Sequence, residues 1–332
     1  MKKSRSSVLV TGALGFVGLN VVYRLASVGW RVIALTRRAP DETTLSFLGN
    51  YRSQVHWVKG DVTDREGMQD LVQSQGVTHI LHAAAVTATP DEEYSDPAKV
   101  FDVNATGTLN LLEAGRSSDV KRLVFVSSSG IYGAAPPIPL KKEEVSLDIT
   151  NIYTIAKQAS EHLCRRYGEL TGMSVAVGRL GSAYGPMERT TGSRLGLSRI
   201  HQAAHAALNG KQITVFGAST SRDYCYVTDV AEAFASLLEV EVLNHNIYNV
   251  GGNQAETLKT ALEAISEAVP TFKWQESDEP EGADIALEAS KARAGMDLQR
   301  LKADTGWHPH FDLYRGVLAY INWLQEAHHD NS

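Results

Sequence analysis

The stretch VLVTGALGFVG, residues 8–18, decides the fold, because an apolar run leads directly into three regularly spaced glycines. In a strand–turn–helix unit the first glycine (Gly12) permits a tight turn, the second (Gly15) lets the backbone approach a diphosphate, and the third (Gly18) lets helix and strand pack closely. The N–H groups and dipole of the following helix then bind the anion. The stretch therefore predicts a dinucleotide-binding turn. Its spacing is TGxxGxxG rather than GxGxxG, and a merely glycine-rich turn is the alternative.

The composition of the chain limits the possible classes of protein. The 332 residues are 43 % hydrophobic and 21 % charged, which suits one large or two moderate globular domains. A net charge of −6 without a long basic block predicts no nucleic-acid partner. No run of about 20 apolar residues occurs, which predicts no membrane span. The two cysteines, Cys164 and Cys225, are too few for a disulfide framework and lack metal-ligand spacing. We therefore expect no metal site and a reducing, cytoplasmic location.

Apolar runs and helical patterns alternate through the first half of the chain. The predicted strands read SVLVTG, RVIALT, VHWVKGD, HILHAAA, RLVFVSS and SVAVGRL. Helices are predicted between them over residues 17–28, 65–75, 98–116 and 153–171. Strands that are apolar on both faces and joined by helices form a parallel sheet covered on both sides, with right-handed crossovers. The pattern predicts an α/β, doubly wound Rossmann-type fold with a smaller C-terminal substrate lobe.

The pattern loosens after Arg179. Further helices are predicted over residues 197–208, 228–239 and 313–325, and the runs QITVFG and IYNVGG predict two more strands. The acidic stretch QESDEPEGAD, residues 275–284, is interpreted as a solvated loop. We expect residues 1–179, together with about 223–249, to form the dinucleotide-binding domain. Residues 180–222 and 250–326 would then form the substrate-binding lobe.

The end of the second predicted strand indicates which dinucleotide is preferred. At this position a carboxylate binds the adenosine ribose 2′-hydroxyl of NAD, whereas an arginine accommodates the 2′-phosphate of NADP. After RVIAL the chain has Thr36, Arg37 and Arg38, and no carboxylate. A planar guanidinium suits phosphate well. The sequence favours NADP over NAD, and the alternative is an incidental basic patch.

A tyrosine, a lysine and a serine cluster indicate redox chemistry. Tyr153 and Lys157 in YTIAK are four residues apart at the start of a predicted helix and share one face. A nearby lysine favours the phenolate and is expected to lower the tyrosine pKa, so that the phenol can exchange the proton of a carbinol. Ser127 to Ser129 end the preceding strand, at the sheet edge where ligands bind. A serine hydroxyl there can orient the substrate oxygen toward Tyr153.

The chain resembles the extended short-chain dehydrogenase/reductases, a group of nucleotide-sugar epimerases, dehydratases and reductases. The motifs that carry this resemblance are TGALGFVG, GDVTD, HAAA, VNATGTLNLLEA, SSSGIYG, YTIAK, RLGSAYGP, RDYCYVTDV and TGWHP, and they span almost the whole chain. In this family the catalytic serine or threonine stands four residues before the tyrosine of a YG pair. Tyr132 therefore indicates Ser128, which the resemblance groups with Tyr153 and Lys157 as the catalytic triad.

The resemblance and the motifs together predict the remaining site residues. The predicted cofactor-binding residues are Gly12, Gly15, Phe16, Val17, Gly18, Arg37, Arg38, Asp61, Val62, Ala83, Ala84, Ala85, Asn104, Tyr153, Lys157 and Leu180. The predicted substrate-binding residues are Thr87, Ser128, Ser129, Tyr153, Ser182 and Arg222. The resemblance gives Asn104 a supporting role. It also implies a homodimer, because the helices that carry Asn104 and Tyr153 commonly form a four-helix interface in this family.

The chain departs from the family pattern at two informative places. Family dehydratases carry Asp-Glu directly after the catalytic hydroxyl residue, but this chain has Ser129 and Gly130, which disfavours dehydration. Arg222 occupies the place of an arginine that contacts a substrate diphosphate in relatives. A second such arginine is replaced by the stretch DEPEGADIA, whose carboxylates Asp278, Glu279 and Glu281 would repel a diphosphate there. A nucleotide sugar and a smaller free sugar, sugar acid or lactone both remain open as substrates.

These observations predict an NADP-dependent oxidoreductase, with NAD possible, that interconverts a secondary alcohol and a ketone on a sugar or sugar derivative. Ser128 would polarise the substrate oxygen, and Tyr153 would exchange the proton. Lys157 would lower the pKa of Tyr153 and bind the ribose. One alternative is a sugar or nucleotide-sugar epimerase with no net cofactor consumption. Another is a non-catalytic NADP-binding sensor, which would have no need of the complete triad.

Overall fold

A seven-stranded parallel sheet forms the centre of the protein. The computed structural model describes residues 6–133, 140, 141, 143, 149, 151–194 and 196–329. The sheet strands are β1 (Ser7–Thr11), β2 (Arg31–Thr36), β3 (Val55–Lys59), β4 (His79–His82), β5 (Arg122–Ser128), β6 (Ser174–Leu180) and β7 (Ile247–Val250). Their spatial order is β7-β6-β5-β4-β1-β2-β3, and all neighbours are parallel. The six strands predicted for the first half are all present, and the predicted Rossmann-type fold is confirmed.

The strand order places a crevice beside the glycine-rich turn. From β1 the chain builds one half of the sheet through β2 and β3, and then returns to place β4 on the other side of β1. Such a reversal leaves a crevice at the carboxyl ends of the two strands, where ligands bind in open α/β sheets. Thr11 lies opposite Leu35 of β2 on one side and His82 of β4 on the other. The turn that begins at Gly12 therefore opens into this crevice.

The described residues form twelve α-helices, some of which cover the two faces of the central sheet. They are α1 (Phe16–Ser27), α2 (Glu42–Leu48), α3 (Arg65–Ser74), α4 (Pro90–Ser95), α5 (Pro97–Phe101), α6 (Gly107–Ser117), α7 (Ile152–Thr171), α8 (Arg199–Leu208), α9 (Val227–Glu239), α10 (Leu258–Ala268), α11 (Gln299–Thr305) and α12 (Leu313–His329). Helices α1 and α9 pack together on one face, and α3, α6 and α7 pack on the other. Each face of the sheet thereby buries its own apolar layer. A parallel sheet needs such a layer on both faces, because its strands are apolar on both sides.

One predicted helix is interrupted. Residues 98–116 were predicted as one helix, but α5 and α6 are joined by a π-helical turn, Asp102–Thr106. In that turn Nδ2 of Asn104 donates to the carbonyl of Val86 at 2.9 Å and to that of Val100 at 2.8 Å. Such wide turns often occur at functional sites. The Asn104 amide thus joins the helix to the loop that follows β4.

The C-terminal half contains a second apolar core. It is formed by α8, α10 and α12 around a three-stranded sheet of Ile213–Phe216, Trp274–Ser277 and Ile285–Ala286. Helix α10 was not predicted, and the acidic stretch predicted as a loop begins as a strand. The remaining short strands are Leu140–Lys141, Ser182–Tyr184, Ser221–Arg222, Tyr224–Tyr226, Glu256–Thr257 and Gly295–Met296. We propose the predicted division into a dinucleotide domain and a substrate lobe on the basis of these separate cores. None of the described helices is both apolar enough and long enough to cross a lipid bilayer.

Candidate active site

The glycine-rich turn has the geometry of an anion cradle. Gly12 has φ +65°, and a Cβ there would lie 2.7 Å from the carbonyl oxygen of Ala83. A Cβ on Gly18 would collide with the backbone of Gly12. Helix α1 begins at Phe16 with Gly15 as its N-cap and no capping side chain, so the first N–H groups are free for a ligand. The turn fits the diphosphate of a dinucleotide, as predicted from the sequence.

Two cavities extend from this turn. The first, which we call the catalytic cavity, has a volume of about 460 Å³ and reaches Ser128, Tyr153 and Lys157. The second, which we call the Arg37 cavity, has a volume of about 410 Å³ and reaches Arg37 and Asp61. Gly12, Gly15, Ala83 and Ala85 line both cavities. The two cavities together form one groove along the carboxyl edge of the sheet.

The Arg37 cavity contains most of the residues predicted for the adenosine side. The predicted residues that line it include Arg37, Arg38, Asp61, Val62 and Ala84; Val103 also lines it and was not predicted. Both arginine side chains are exposed, and no carboxylate stands at the end of β2. Oδ1 of Asp61 accepts bonds from the Thr63 N–H at 3.0 Å and the Thr63 hydroxyl at 2.9 Å, which fix the loop after β3. This end of the groove therefore presents two exposed guanidinium groups.

Tyr153 and Ser128 meet in the catalytic cavity. Ser128 is the last residue of β5, and Tyr153 lies in the first turn of α7, where Asn151 caps the helix by accepting from the Thr154 N–H. Both residues line this cavity, and the Ser128 hydroxyl lies close enough to act to lower the pKa of Tyr153. The Ser128 hydroxyl also accepts from the Gly130 N–H at 3.0 Å. These contacts hold both hydroxyls at the sheet edge, side by side, as the sequence predicted.

Lys157 lies one helical turn after Tyr153 on α7 and is almost completely buried. Its Nζ donates to the carbonyl oxygen of Val126 at 2.8 Å, and lies 4.6 Å from the ring centroid of Phe125 and 5.7 Å from that of Tyr153. Burial lowers the pKa of Lys157 to about 7, against the opposing effects of Cys164 and Glu161. Burial thus favours the neutral amine of Lys157 over its ammonium form.

The expected lowering of the Tyr153 pKa is not found. Burial raises the pKa of this phenol, and outweighs the lowering by the Ser128 hydrogen bond and the charge of Arg194. Lys157 does not lower it here, because its ammonium is bonded to Val126 and is itself desolvated. The phenol is thus the stable form of Tyr153 in the unliganded state.

A buried ion pair lies directly behind the triad. The Glu161 carboxylate, one turn beyond Lys157 on α7, pairs with Arg179 of β6 at 2.8 Å and accepts from the Ser127 hydroxyl at 2.6 Å. Arg179 also donates to the Tyr132 hydroxyl at 3.0 Å, and that hydroxyl donates to Oδ1 of Asn249 at 2.8 Å. This network connects β5, β6, β7 and α7. Its members Glu161, Arg179 and Ser127 were not predicted as site residues, because the contacts join distant segments.

Two predicted site residues lie outside the cavity walls. Asn104 is completely buried and lines neither cavity; its backbone carbonyl accepts from the Ser160 hydroxyl at 2.8 Å. This position fits the supporting role predicted for Asn104, not direct contact with a cofactor. The Ser129 side chain is also buried and does not line the catalytic cavity, whereas Ser127 does. Ser127 and Ser128 are the last two residues of β5, whereas Ser129 begins the 3₁₀ turn that follows, so only part of the serine cluster reaches the cavity.

Cationic side chains line the far end of the catalytic cavity. Arg222 reaches this wall, as predicted, and donates to the Ser182 hydroxyl at 2.9 Å and to the carbonyl of Lys291 at 3.0 Å. Arg199 and Lys291 line the same wall and were not predicted. The acidic residues Asp278, Glu279 and Glu281 do not line the cavity. The predicted repulsion of a diphosphate is therefore wrong, because Leu287 and Lys291 occupy the wall instead.

The remaining predicted residues also reach the catalytic cavity. Thr87, Leu180 and Ser182 line it, and so do Phe16 and Val17 at the start of α1. Thr191, Ser193 and Arg194 line it as well, and the first two also line the Arg37 cavity. These three lie in the segment between the strand Ser182–Tyr184 and helix α8. No motif in the sequence indicates which of its residues face the groove.

The fold and the glycine-rich turn define a dinucleotide-dependent enzyme. A family model described as the NAD dependent epimerase/dehydratase family matches residues 8–251, and the chain belongs to this family. This confirms the resemblance to the extended short-chain dehydrogenase/reductases. The protein is therefore an enzyme that depends on a nicotinamide dinucleotide.

Named relatives match the chain along nearly its whole length. The chain is 28 % identical to a dTDP-glucose 4,6-dehydratase of Xanthomonas campestris, over 95 % of this chain and 92 % of that protein. It is 26 % identical to a UDP-glucuronate 4-epimerase of Thermodesulfobacterium geofontis, with 96 % of both chains covered. The crystal structure of the Thermus thermophilus UDP-glucose 4-epimerase complex with NAD superimposes with a TM-score of 0.76. That alignment covers 97 % and 99 % of the two chains at 29 % identity.

Proposed function

We propose that the protein is an NADP-dependent oxidoreductase that interconverts a secondary alcohol and a ketone on a nucleotide sugar. The observation that carries this proposal is that Ser128, Tyr153 and Lys157 line one cavity together with the glycine-rich turn. A substrate hydroxyl placed against Ser128 and Tyr153 can lose its proton to the Tyr153 oxygen. When bound, the dinucleotide supplies the acceptor for the hydride that leaves the same carbon.

Ser128, Lys157 and Tyr153 have separate roles in the proposed reaction. Ser128 binds the substrate oxygen and holds it beside Tyr153, since its hydroxyl is fixed by the Gly130 N–H. Lys157 supports the phenolate that forms as the proton is exchanged and provides a donor toward the ribose. In the direction of oxidation, the alcohol and NADP⁺ yield the ketone, NADPH and one proton. In the reverse direction Tyr153 returns the proton to the developing alkoxide.

Arg37 and Arg38 favour NADP as the cofactor. Both guanidinium groups line the end of the groove where the adenosine ribose is expected, and an NAD-binding carboxylate is absent from the end of β2. A guanidinium binds phosphate by two parallel hydrogen bonds, which a ribose hydroxyl cannot match.

Three cations support a substrate with a diphosphate. Arg199, Arg222 and Lys291 line the catalytic cavity, and none of them lines the Arg37 cavity. The positive charges of these side chains attract an anionic group of a ligand in the cavity, and arginine adds directional hydrogen bonds. The named relatives act on dTDP-glucose and UDP-glucuronate, which carry a diphosphate. We infer that a nucleotide sugar fits this wall better than a free sugar or lactone.

An epimerase that retains its dinucleotide is the second candidate. Epimerases occur among the named relatives, and epimerisation uses the same proton-exchanging tyrosine. Dehydration has less support, because Ser129 and Gly130 follow Ser128 where a dehydratase needs an acidic pair. Homodimer formation through the helices of Asn104 and Tyr153 remains part of the proposal.

An assay that follows both the cofactor and the sugar products distinguishes these functions. The protein is incubated with UDP- and dTDP-sugars and with NADP⁺ or NAD⁺, while absorbance at 340 nm and the sugar products are followed. Net formation of reduced cofactor together with a keto sugar supports the oxidoreductase, and product formation without a change at 340 nm supports the epimerase. If neither occurs and neither dinucleotide raises the melting temperature, the proposal is wrong, since a bound ligand stabilises by mass action.

A further inference from the structure

The segment of residues 191–194, which we call the crossing segment, lies across the dinucleotide groove. Thr191 and Ser193 line both the catalytic cavity and the Arg37 cavity, so the segment stands where the two meet. Its far end is attached to the loop after β4: Thr87 donates from its N–H to the Ser193 carbonyl at 3.0 Å and from its hydroxyl at 3.2 Å. The segment therefore lies over the middle of the groove, between its adenosine end and its catalytic end.

Arg194 points from this segment toward the glycine-rich turn. Its guanidinium carbon lies 5.0 Å from the ring centroid of Phe16, the first residue of α1. The same guanidinium lowers the pKa of Tyr153 through its charge. Arg194 therefore lies close both to the anion-binding end of α1 and to the catalytic tyrosine.

A buried carboxylate fixes this arginine. The Glu188 side chain has no exposed surface and pairs with Nη2 of Arg194 at 2.6 Å. It also accepts from the N–H and the hydroxyl of Ser198, each at 2.7 Å. Nε of Arg194 donates to the Gly196 carbonyl at 3.1 Å. These bonds use Nε and Nη2, which form one edge of the guanidinium, and hold the group over the Phe16 ring on the wall of the catalytic cavity.

We propose that Arg194 binds a diphosphate from the side of the groove opposite the glycine-rich turn. The free N–H groups of α1 and the Arg194 guanidinium converge on the same part of the groove, which suits a doubly charged anion. The diphosphate of the bound dinucleotide is the first candidate, because the crossing segment stands between the two halves of its groove. The diphosphate of a nucleotide-sugar substrate carries the same chemistry. The inference rests on the proposed function and assigns a role to a residue outside the family motifs described above.

Calorimetric titration of the purified protein tests the inference. The ligands are NADP⁺, adenosine 2′-monophosphate, which keeps the 2′-phosphate but has no phosphate at the position of the diphosphate, and UDP. Arg194→Ala is expected to weaken NADP⁺ binding by roughly tenfold to a hundredfold, because a charge-assisted hydrogen bond is lost. Binding of the monophosphate should change by about twofold or less. A loss confined to UDP would assign the same diphosphate contact to the substrate.

Two further variants test whether a loss of binding in Arg194→Ala comes from a folding defect. Arg194→Lys keeps the ion pair with Glu188 but loses the planar fork, and should bind NADP⁺ with intermediate affinity. Arg189→Ala removes a neighbouring arginine that pairs with Asp41 and lines neither cavity, and should bind like the parent protein. Unchanged affinity of Arg194→Ala for both NADP⁺ and UDP overturns the inference. Failure of the parent protein to bind any dinucleotide instead contradicts the proposed function.

Discussion

The Ser127 hydroxyl and the Glu161 carboxylate are joined by a 2.6 Å hydrogen bond that connects the end of β5 to the middle of α7. Ser127 stands between Val126, whose carbonyl accepts from Lys157, and Ser128, which lines the same cavity as Tyr153. Glu161 lies one turn beyond Lys157 on the helix that also carries Tyr153. The Ser127–Glu161 bond and the Lys157–Val126 bond therefore both join the strand and the helix that together supply the triad.

Removal of the Ser127–Glu161 bond is expected to impair catalysis without loss of substrate binding. Ser127→Ala should lower kcat about threefold to tenfold and leave KM nearly unchanged, since Tyr153 and Lys157 would be held less firmly. The free energy of unfolding should fall by about 1–3 kcal/mol, because Glu161 loses one buried partner. Ser127→Thr, which keeps the hydroxyl, should restore kcat. Ser174→Ala is the control, because Ser174 is the first residue of β6 and pairs with the start of β5, at the edge of the sheet away from the triad. An equal loss of kcat in this control would contradict the positioning role of Ser127.

Tyr153→Phe tests the proton exchange directly. Loss of the phenol oxygen should lower kcat by about 10²- to 10⁴-fold, which is the usual contribution of a positioned acid or base. The fold should be retained, because the ring still fills its place at the start of α7. Steady-state assays and thermal unfolding measure the two effects. Tyr167→Phe, on the same helix and bonded to Glu113 at 2.6 Å, should leave kcat unchanged. Near-normal turnover by the Tyr153 variant would remove this residue from the mechanism.

Arg37→Ala tests the preference for NADP. If the guanidinium binds the 2′-phosphate, kcat/KM for NADP⁺ should fall roughly tenfold or more, and kcat/KM for NAD⁺ should change little. The ratio of the two values reports the preference without interference from protein concentration. Arg31→Ala is a suitable control, because Arg31 lies at the other end of β2 and bonds Gln75. An unchanged ratio in the Arg37 and Arg38 single and double variants would show that the cofactor preference lies elsewhere.

His82 makes the stability of the protein sensitive to acid. Burial lowers its pKa to about 3, and its ring is bonded to the hydroxyls of Thr11 at 2.7 Å and Thr108 at 3.0 Å. Between pH 6.5 and about 3 the unfolded chain binds a proton at this residue and the folded chain does not. Stability therefore falls as the pH decreases through this window, by about 2 kcal/mol from this group between pH 7.5 and 5.

Urea unfolding of two variants measures this contribution. His82→Gln should lose less stability than the parent between pH 7.5 and 5, because glutamine does not titrate. His162→Gln, an exposed position on α7, should behave like the parent protein. His79 and His201, whose pKa values burial lowers to about 4, keep part of the acid sensitivity in both variants. An identical pH dependence for His82→Gln and the parent would contradict the assignment.

The sequence predicted the features that depend on neighbouring residues. The glycine-rich turn, the alternation of strands and helices, and the Tyr153–Lys157 spacing are all local, and the structure places them as expected. Ser128 could be predicted because the family pattern fixes its separation from Tyr132. Helix α10 was missed, although Leu258, Leu262 and Ile265 have helical spacing and are completely buried. That helix was predictable from the sequence.

Features that depend on contacts between distant segments were not predictable. Arg194 lies over Phe16, 178 positions earlier in the chain, and Lys291 joins Arg222 on one cavity wall. The charge of the acidic stretch could be read from the sequence, but its distance from the cavity could not. The Tyr153 pKa depends on burial, which spacing alone does not reveal. The sequence therefore indicates which groups are present, and the fold determines which of them meet.

The π-helical turn Asp102–Thr106 makes the length of this helical region critical. Gly107 follows it and faces Val62 so closely that a Cβ would lie 2.6 Å from a methyl carbon of Val62. Deletion of one residue from the turn would rotate α6 by about 100° relative to α5. Leu111 would leave the core, and Gly107 would leave Val62. We therefore expect single-residue insertions and deletions to be accepted in the exposed turn near Gly282 but rejected between α5 and α6.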